Sequence, residues 1–340
     1  MNRSLESSEP KSPLSRRRFL HGSGAAAMLT LLGGRFARAQ DPSATPPAST
    51  EAPPGTAPVS APPASQKAPL FTFAMASDSH IGSNKKTAKF MRQWEQATDE
   101  IKAYNPAFVL FLGDLVDSGE VPENQQHYPT WLAIAKKMEK PLICVPGNHD
   151  PVEMFTQHIQ KETDTVYDHQ DLLRVIAFHD AQPNPKHDGT ITPAQIAWMD
   201  KMIAEAPGSG KNVILASHVV FHKNLPPDRA WYVKEGREAF EDLLKKHQAR
   251  LFAMYSGHFH NGIRGWNDLD IHEVMMPATC YNLMRIKEGE APLQQWIEKG
   301  GGFVLDEFRP GWVQAEVYPN RMILKYKPLG ATSDAQKLLS

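Results

Sequence analysis

Phe108-Val109-Leu110-Phe111-Leu112-Gly113-Asp114-Leu115-Val116-Asp117 opens as an unbroken apolar run and breaks at a glycine into two carboxylates. Such a run, bounded by a turn signal, reads as a short buried strand that stops where polar chemistry begins. The same grammar stands on either side of it. Leu70 to Ser77 ends on Asp78-Ser79-His80, and Leu142 to Val145 ends on Pro146-Gly147-Asn148-His149-Asp150. Between these runs lie helical patterns. Phe90, Trp94, Ala97, Ile101 and Tyr104 mark one face of an amphipathic helix over Lys85 to Tyr104, stopped by Asn105-Pro106, and Trp131, Leu132, Ala135 and Met138 mark a second over Pro129 to Lys140. Three βα units in succession predict a parallel sheet.

Further along, Leu172 to Phe178 reads as a strand, and Thr192-Pro193-Ala194-Gln195 is a capping box with proline at the first helical position. Lys211 to Ser217 is a strand that ends at His218. Glu235 to His247 reads as a helix, and Leu251 to Tyr255 as a strand ending on Ser256-Gly257-His258-Phe259-His260. Ile271 to Met276, Phe303 to Phe308, Val313 to Tyr318 and Met322 to Tyr326 look like antiparallel strands. The expected class is α/β, with two stacked mixed β-sheets flanked by helices.

The chain has 340 residues, 41% of them hydrophobic, with 37 Lys and Arg against 38 Asp and Glu. That is enough apolar surface for a large core and too little net charge for a dedicated nucleic-acid or anionic-membrane binder. Two cysteines, Cys144 and Cys280, cannot make a disulfide scaffold or a Cys-rich metal site, although one bridge after export is open to them. Cys144 reads as a small apolar core residue.

Residues 1–39 read as an address. Ser15-Arg16-Arg17-Arg18-Phe19-Leu20 precedes an apolar run from Gly22 to Gly34 and a small-residue cleavage site at Ala37-Arg38-Ala39. The segment resembles a twin-arginine export signal. That resemblance implies the twin-arginine export machinery as a partner, a periplasmic or other extracytoplasmic location, and metal loading before export. Membrane attachment follows only if the segment is kept as an anchor, and the run carries four glycines and falls short of the ~20 apolar residues of a span. Without residues 1–39 the count is 30 basic against 36 acidic side chains. Residues 40–69 form a linker: nine prolines and no aromatic fall between 41 and 69, a composition that buries no core. Residues 70–330 are then one domain, with 331–340 as a tail.

Metal-competent residues fall just past the carboxyl ends of five expected strands, where open α/β sheets place ligands. Singly they mean little: about 0.7 Asp-x-His tripeptides are expected by chance, and Asp270-Ile271-His272 is a second copy, read as a decoy inside a strand. Gly-Asn-His-Asp is expected only about 0.002 times, and the ordered set is far rarer. Asp78-Ser79-His80, Gly113-Asp114-Leu115-Val116-Asp117, Gly147-Asn148-His149-Asp150, His218 and Gly257-His258-Phe259-His260 together resemble the calcineurin-like metallophosphoesterases over nearly all of residues 70–330.

The resemblance implies a four-layer αββα sandwich and two metal ions. It implies one ion held by Asp78, His80, Asp114 and His260, and another held by Asp114, Asn148, His218 and His258, with Asp114 as the bridge. It implies a metal-bridging hydroxide attacking the phosphorus of a small phosphodiester or phosphomonoester, with Asp114 and His149 as the catalytic pair. His149 and Asn148 would contact the substrate, and Asp117 and Asp150 would orient ligating groups. Oxygen and imidazole donors without thiolate suit manganese, iron or zinc. The charge of two divalent ions exceeds that of Asp78 and Asp114, so the core would attract phosphate. Asn148 adds an oxygen ligand without cancelling that charge. Glycines 113, 147 and 257 are read as sharp turns that aim the next side chain.

Finer branches separate on single residues. Purple acid phosphatases carry tyrosine where this chain has Asp117. Serine/threonine protein phosphatases carry Asp-Arg-Gly and a glutamate where this chain has Ser118 and Asp150. The pattern is most similar to the bacterial branch of cyclic-nucleotide and glycerophosphodiester phosphodiesterases. A nuclease of the same fold is disfavoured by the acidic balance, so no nucleic acid is expected, and a noncatalytic binder is disfavoured by the full ligand set. His127, His158, His169, His179, His187, His247 and His272 read as surface or core residues, and His222 as a substrate contact. Trp231, Tyr232, Trp266 and Tyr281 are pocket candidates, and residues 151–169, 179–189 and 222–235 are the expected substrate loops.

Overall fold

A computed structural model describes residues 68–82, 84–181, 187–224, 230–282 and 309–329. The leader at 1–39, nearly all of the 40–69 linker, the strand expected at Phe303–Phe308 and the 331–340 tail lie outside the described residues. In chain order the first elements are β1 (Phe71–Ala76), α1 (Thr87–Tyr104), β2 (Val109–Leu112), α2 (Pro122–Gln125), α3 (His127–Lys136), β3 (Leu142–Val145), α4 (Val152–His158), β4 (Thr165–His169) and β5 (Leu173–Ala177). There follow β6 (Gly189–Thr190), α5 (Pro193–Ala204), β7 (Val213–Ala216), β8 (Val233–Glu235), α6 (Arg237–His247), β9 (Leu251–Ser256), β10 (Arg264–Asp268), β11 (Ile271–Met275), β12 (Gly311–Tyr318) and β13 (Arg321–Pro328).

These strands make two main sheets. One has the order β13-β12-β1-β2-β3 and the other β10-β11-β9-β7-β5-β4, with β6 and β8 as a small separate pair. Strands β1, β2 and β3 run parallel, as do β5, β7, β9 and β11. Hence the strands that carry the five clusters discharge their chains at the same end of each sheet. Phe73, Met75, Leu110, Val175, Ile214 and Tyr255 pack between the sheets, so the inner faces of the two sheets share one core. Trp94 and Ile101 of α1 and Trp131 of α3 cover the outer face of the first sheet, where Trp94 and Trp131 stack at 5.2 Å. Met199, Ile203, Phe240 and Leu244 of α5 and α6 cover the second. The result is the helix, sheet, sheet, helix stack expected.

The capping box that opens α5 is formed: Gln195 N donates to Thr192 Oγ1 and Thr192 N donates to Gln195 Oε1. Other boundaries differ. The second helix begins at His127 and ends at Lys136, four residues short of the expected stop, and Glu139 beyond it sits at φ +56. Residues 151–169, read as a loop, contain α4 and β4. Strand β11 was expected to be antiparallel; it is antiparallel to β10 and parallel to β9. Among the described residues no helix is long and apolar enough to cross a membrane. Cys144 and Cys280 are both free and buried, so the bridge left open by the sequence is not formed.

Candidate metal centre

Each cluster sits where its strand ends, and the backbone turns sharply there. Asp78, His80, Asp114, His258 and His260 all have left-handed backbones, with φ of +53, +43, +55, +78 and +50. For residues with a side chain this costs on the order of 1 kcal/mol each, so the surrounding structure must impose it. Ser79 shows how. Its hydroxyl donates to Leu115 O and accepts from Trp131 Nε1 at 2.8 Å, so the middle residue is pulled toward α3 while Asp78 and His80 flank it.

The glycines act differently from the expectation. Of Gly113, Gly147 and Gly257, only Gly113 is left-handed, at φ +87. A Cβ at Gly147 would run into the Asp114 carboxylate and backbone, and one at Gly257 into Ser77 Oγ and Asp78 Oδ2. Their function is to let neighbouring cluster residues approach, while the turning is done by the metal-competent residues themselves.

All seven candidate ligands converge, and six of them are less than 8% exposed and His218 wholly buried. His260 Nε2 lies 3.1 Å from Asp78 Oδ1 and 3.0 Å from His80 Nε2. Asp114 Oδ2 lies 3.2 Å from His80 Nε2 and 3.3 Å from His218 Nε2. His218 Nε2 is also 3.2 Å from Asn148 Oδ1. The potential ligand atoms of Asp78, His80, Asp114 and His260 lie within 4.8 Å of one another, as do those of Asp114, His218 and His258. Asp78 and His258 come from different sheets, and the His258 N–H donates to Asp78 Oδ2 at 3.1 Å.

The outer nitrogen of every ring is committed to an acceptor. His80 Nδ1 faces Asp117 Oδ1, His218 Nδ1 faces Leu112 O, His260 Nδ1 faces Tyr281 O and His258 Nε2 faces His187 O, at 2.7 to 3.2 Å. A carbonyl or carboxylate oxygen only accepts, so each ring spends its N–H outward and turns a lone pair inward. Facing lone pairs on His80 and His260, beside two buried carboxylates, call for positive charge between them. No Lys or Arg is among the described residues that line the cavity. Burial alone would lower the His218 pKa, but Asp114 and Asp78 outweigh it and push it up to about 10. Burial likewise raises the Asp114 carboxyl, and His218, His149 and His80 outweigh it and hold it well below the usual range. The donor set therefore fits divalent cations, for which protons are the substitute.

Asp150 and Asp117 brace this set. Asp150 accepts from the N–H groups of Leu115, Val116 and Gly147 and from the Tyr128 hydroxyl, which ties the second cluster to the third. Burial pushes its carboxyl up to about 6. Asp117 Oδ1 stands 3.2 Å from both His80 Nδ1 and His149 Nδ1. The Ser118 N–H also points at His149 Nδ1, at 3.1 Å. Neutral His149 can accept from Ser118, and charged His149 can donate to Asp117, so Nδ1 has a partner in either state and Nε2 is left for the crevice.

The cavity over the cluster holds about 180 Å³ and is lined by His149, Asn148, His187, Trp231, Phe259 and Tyr281 among others. Tyr281 and Trp231 are therefore pocket residues, whereas Trp266 lines a different groove. His187 is a correction: read as a surface or core residue, it stacks on Trp231 at 3.9 Å and caps His258 through its carbonyl. His222 is another. It does not line this cavity, because Glu273 accepts from the Phe221 and His222 N–H groups and turns the chain toward β11, where His222 pairs with Asp268 and stacks on Trp266.

The sequence model of the calcineurin-like phosphoesterases matches residues 71–262. The chain belongs to the calcineurin-like phosphoesterase family. Among its relatives, a probable glycerophosphodiester phosphodiesterase of Arcobacter nitrofigilis is 24% identical over 66% of this chain and 88% of that protein. A probable cyclic nucleotide phosphodiesterase of Rhodopseudomonas palustris is 26% identical over 59% of this chain and 76% of that one. In fold, this calcineurin-like phosphoesterase is similar to a dimetal phosphatase from Danio rerio, with a TM-score of 0.57 at 13% identity over 76% of this chain and 96% of the other. As a member of the family it is a metal-dependent phosphoesterase.

Proposed function

We propose that the enzyme is a binuclear hydrolase of small phosphodiesters. One observation carries the reading: a single oxygen, Asp114 Oδ2, stands between His80 Nε2 and His218 Nε2 and so belongs to two donor sets at once. Asp78, His80, Asp114 and His260 would hold one ion, and Asp114, Asn148, His218 and His258 the other. A pair of divalent manganese, iron or zinc ions in these sets would supply an acidified water and positive charge for the transferred phosphoryl group. The chain's own part is to orient and to move protons. Asn148 and His149 border the crevice where the ester would lie. Protonated His149 holds Nδ1–H on Asp117 and delivers Nε2–H to the departing oxygen.

The names of the relatives, a glycerophosphodiester and a cyclic nucleotide phosphodiesterase, favour diesters over monoesters. The test is a panel of cyclic nucleotides, glycerophosphodiesters, nucleotides and sugar phosphates with manganese, iron, zinc and cobalt in turn. Turnover of at least one diester class above the monoesters is expected. Failure on every ester with every metal would leave a phosphoester binder in its place.

Export by the twin-arginine route to the periplasm is proposed from Arg16-Arg17 and the run that follows. Arg16→Lys with Arg17→Lys should hold the precursor inside the cell. Normal export of that double variant would assign the leader to another route.

A further inference from the structure

His218 leaves β7 beside a carboxylate that none of the five clusters contains. The backbone N–H groups of His218 and Val219 both donate to Asp180 Oδ1, at 3.0 and 3.1 Å. Asp180 is 1% exposed and lies just past the end of β5, the parallel neighbour of β7. The Asp180 carbonyl in turn accepts from Thr190 N at 2.8 Å, which fixes the residue against β6. Among the described residues none donates a hydrogen bond to its other side-chain oxygen, Oδ2.

We propose that Asp180 is a positioning residue for the second metal set, an inference that rests on the binuclear reading above. Three contacts place His218: its ring on Leu112 O, its N–H on Asp180 and its carbonyl on Gly257 N at 2.9 Å. Gly257 is followed directly by His258, so a shift of the His218 backbone passes to another member of the same set. The first set takes three of its four members, Asp78, His80 and Asp114, from the ends of β1 and β2, which Asp180 does not touch; the fourth, His260, stands three residues beyond Gly257, with its ring fixed separately on Tyr281 O at 2.9 Å. Loss of the Asp180 acceptor leaves two buried N–H groups unpaired, and the chain there must move to recover partners. The second set should therefore weaken selectively, as outer contacts to metal-binding side chains commonly change affinity by about 10- to 100-fold.

The test is titration of the full-length protein with Mn²⁺ alone, read by calorimetry and by metal content after dialysis. Wild type should bind two ions; fewer than two would overturn the binuclear reading itself and is seen before any variant is compared. Asp180→Ala should keep the first ion at wild-type affinity and bind the second about tenfold or more weakly. Asp180→Asn should restore the second, because the amide oxygen accepts both N–H groups as the carboxylate oxygen did. If alanine does not fold, Asp180→Ser, whose shorter side chain withdraws the acceptor, takes its place with the same expectation. Glu273→Ala separates positioning from general loosening, since Glu273 accepts from the N–H groups of Phe221 and His222 a few residues further on, at 2.6 and 2.8 Å. It should leave the second ion in place. An alanine variant at 180 with normal second-site affinity, or equal weakening by Glu273→Ala, overturns the proposal.

Discussion

Asp114→Asn should lower kcat/KM for a chromogenic phosphodiester by about 10³-fold or more, equivalent to about 4 kcal/mol of transition-state stabilisation. The substitution is nearly isosteric, so the effect isolates the oxygen. Asp114 Oδ1 accepts from the His149 N–H at 2.9 Å, and the amide oxygen of asparagine keeps that bond. The amide nitrogen then falls where Oδ2 stood, between the lone pairs of His80 and His218. It donates to them and offers nothing to a cation. Both donor sets lose their common member, while the core strands and helices keep their packing. Far-ultraviolet circular dichroism should be unchanged and metal content should fall below two per chain. Unchanged turnover with two ions retained would remove Asp114 from the bridge.

The second large effect is expected at His149. With an alkoxide leaving group, His149→Ala should reduce kcat by about 10²- to 10⁴-fold, the range for a lost general acid. With p-nitrophenolate, which departs without a proton, the loss should shrink to about tenfold or less. The ring's position makes this contrast possible, because Asp117 and Ser118 occupy Nδ1 and leave Nε2 toward the crevice. Asp117→Asn should move the same way and less far, since it weakens the charged form of the ring without removing it. Equal losses on both leaving groups would assign His149 to binding or metal support.

How much of this could be read from the residues follows from where the information lies. Strands β1, β2, β3, β7 and β9 are short and almost wholly apolar where they are buried; β1, β2, β3 and β9 run within two residues into glycine or aspartate and β7 into Ser217-His218, so both their existence and their chemistry-bearing ends were legible. The edge strands β4 and β10 were not. Thr165–His169 and Arg264–Asp268 are half-exposed and polar, and their pairing partners decide their conformation. The direction of β11 was likewise hidden, because pairing with β9 on one side and β10 on the other is a property of the sheet and not of Ile271–Met275. At the site, the clusters stood out by residue type and spacing, and their division into two donor sets came from the resemblance to the family. Contacts made by backbone were missed: His187 acts through its carbonyl, and Asp180 is a lone carboxylate that binds two N–H groups. His222 was misplaced for the same kind of reason, since a buried glutamate from a distant strand steers the chain that carries it.

Strand β1 enters the molecule at Phe71 and, after six residues of extended chain, delivers Asp78 to the crevice. At about 3.3 Å per residue this separates the point of entry from the catalytic end by about 20 Å. The first described residues, 68–70, thus lie at the end of the sheet away from the crevice.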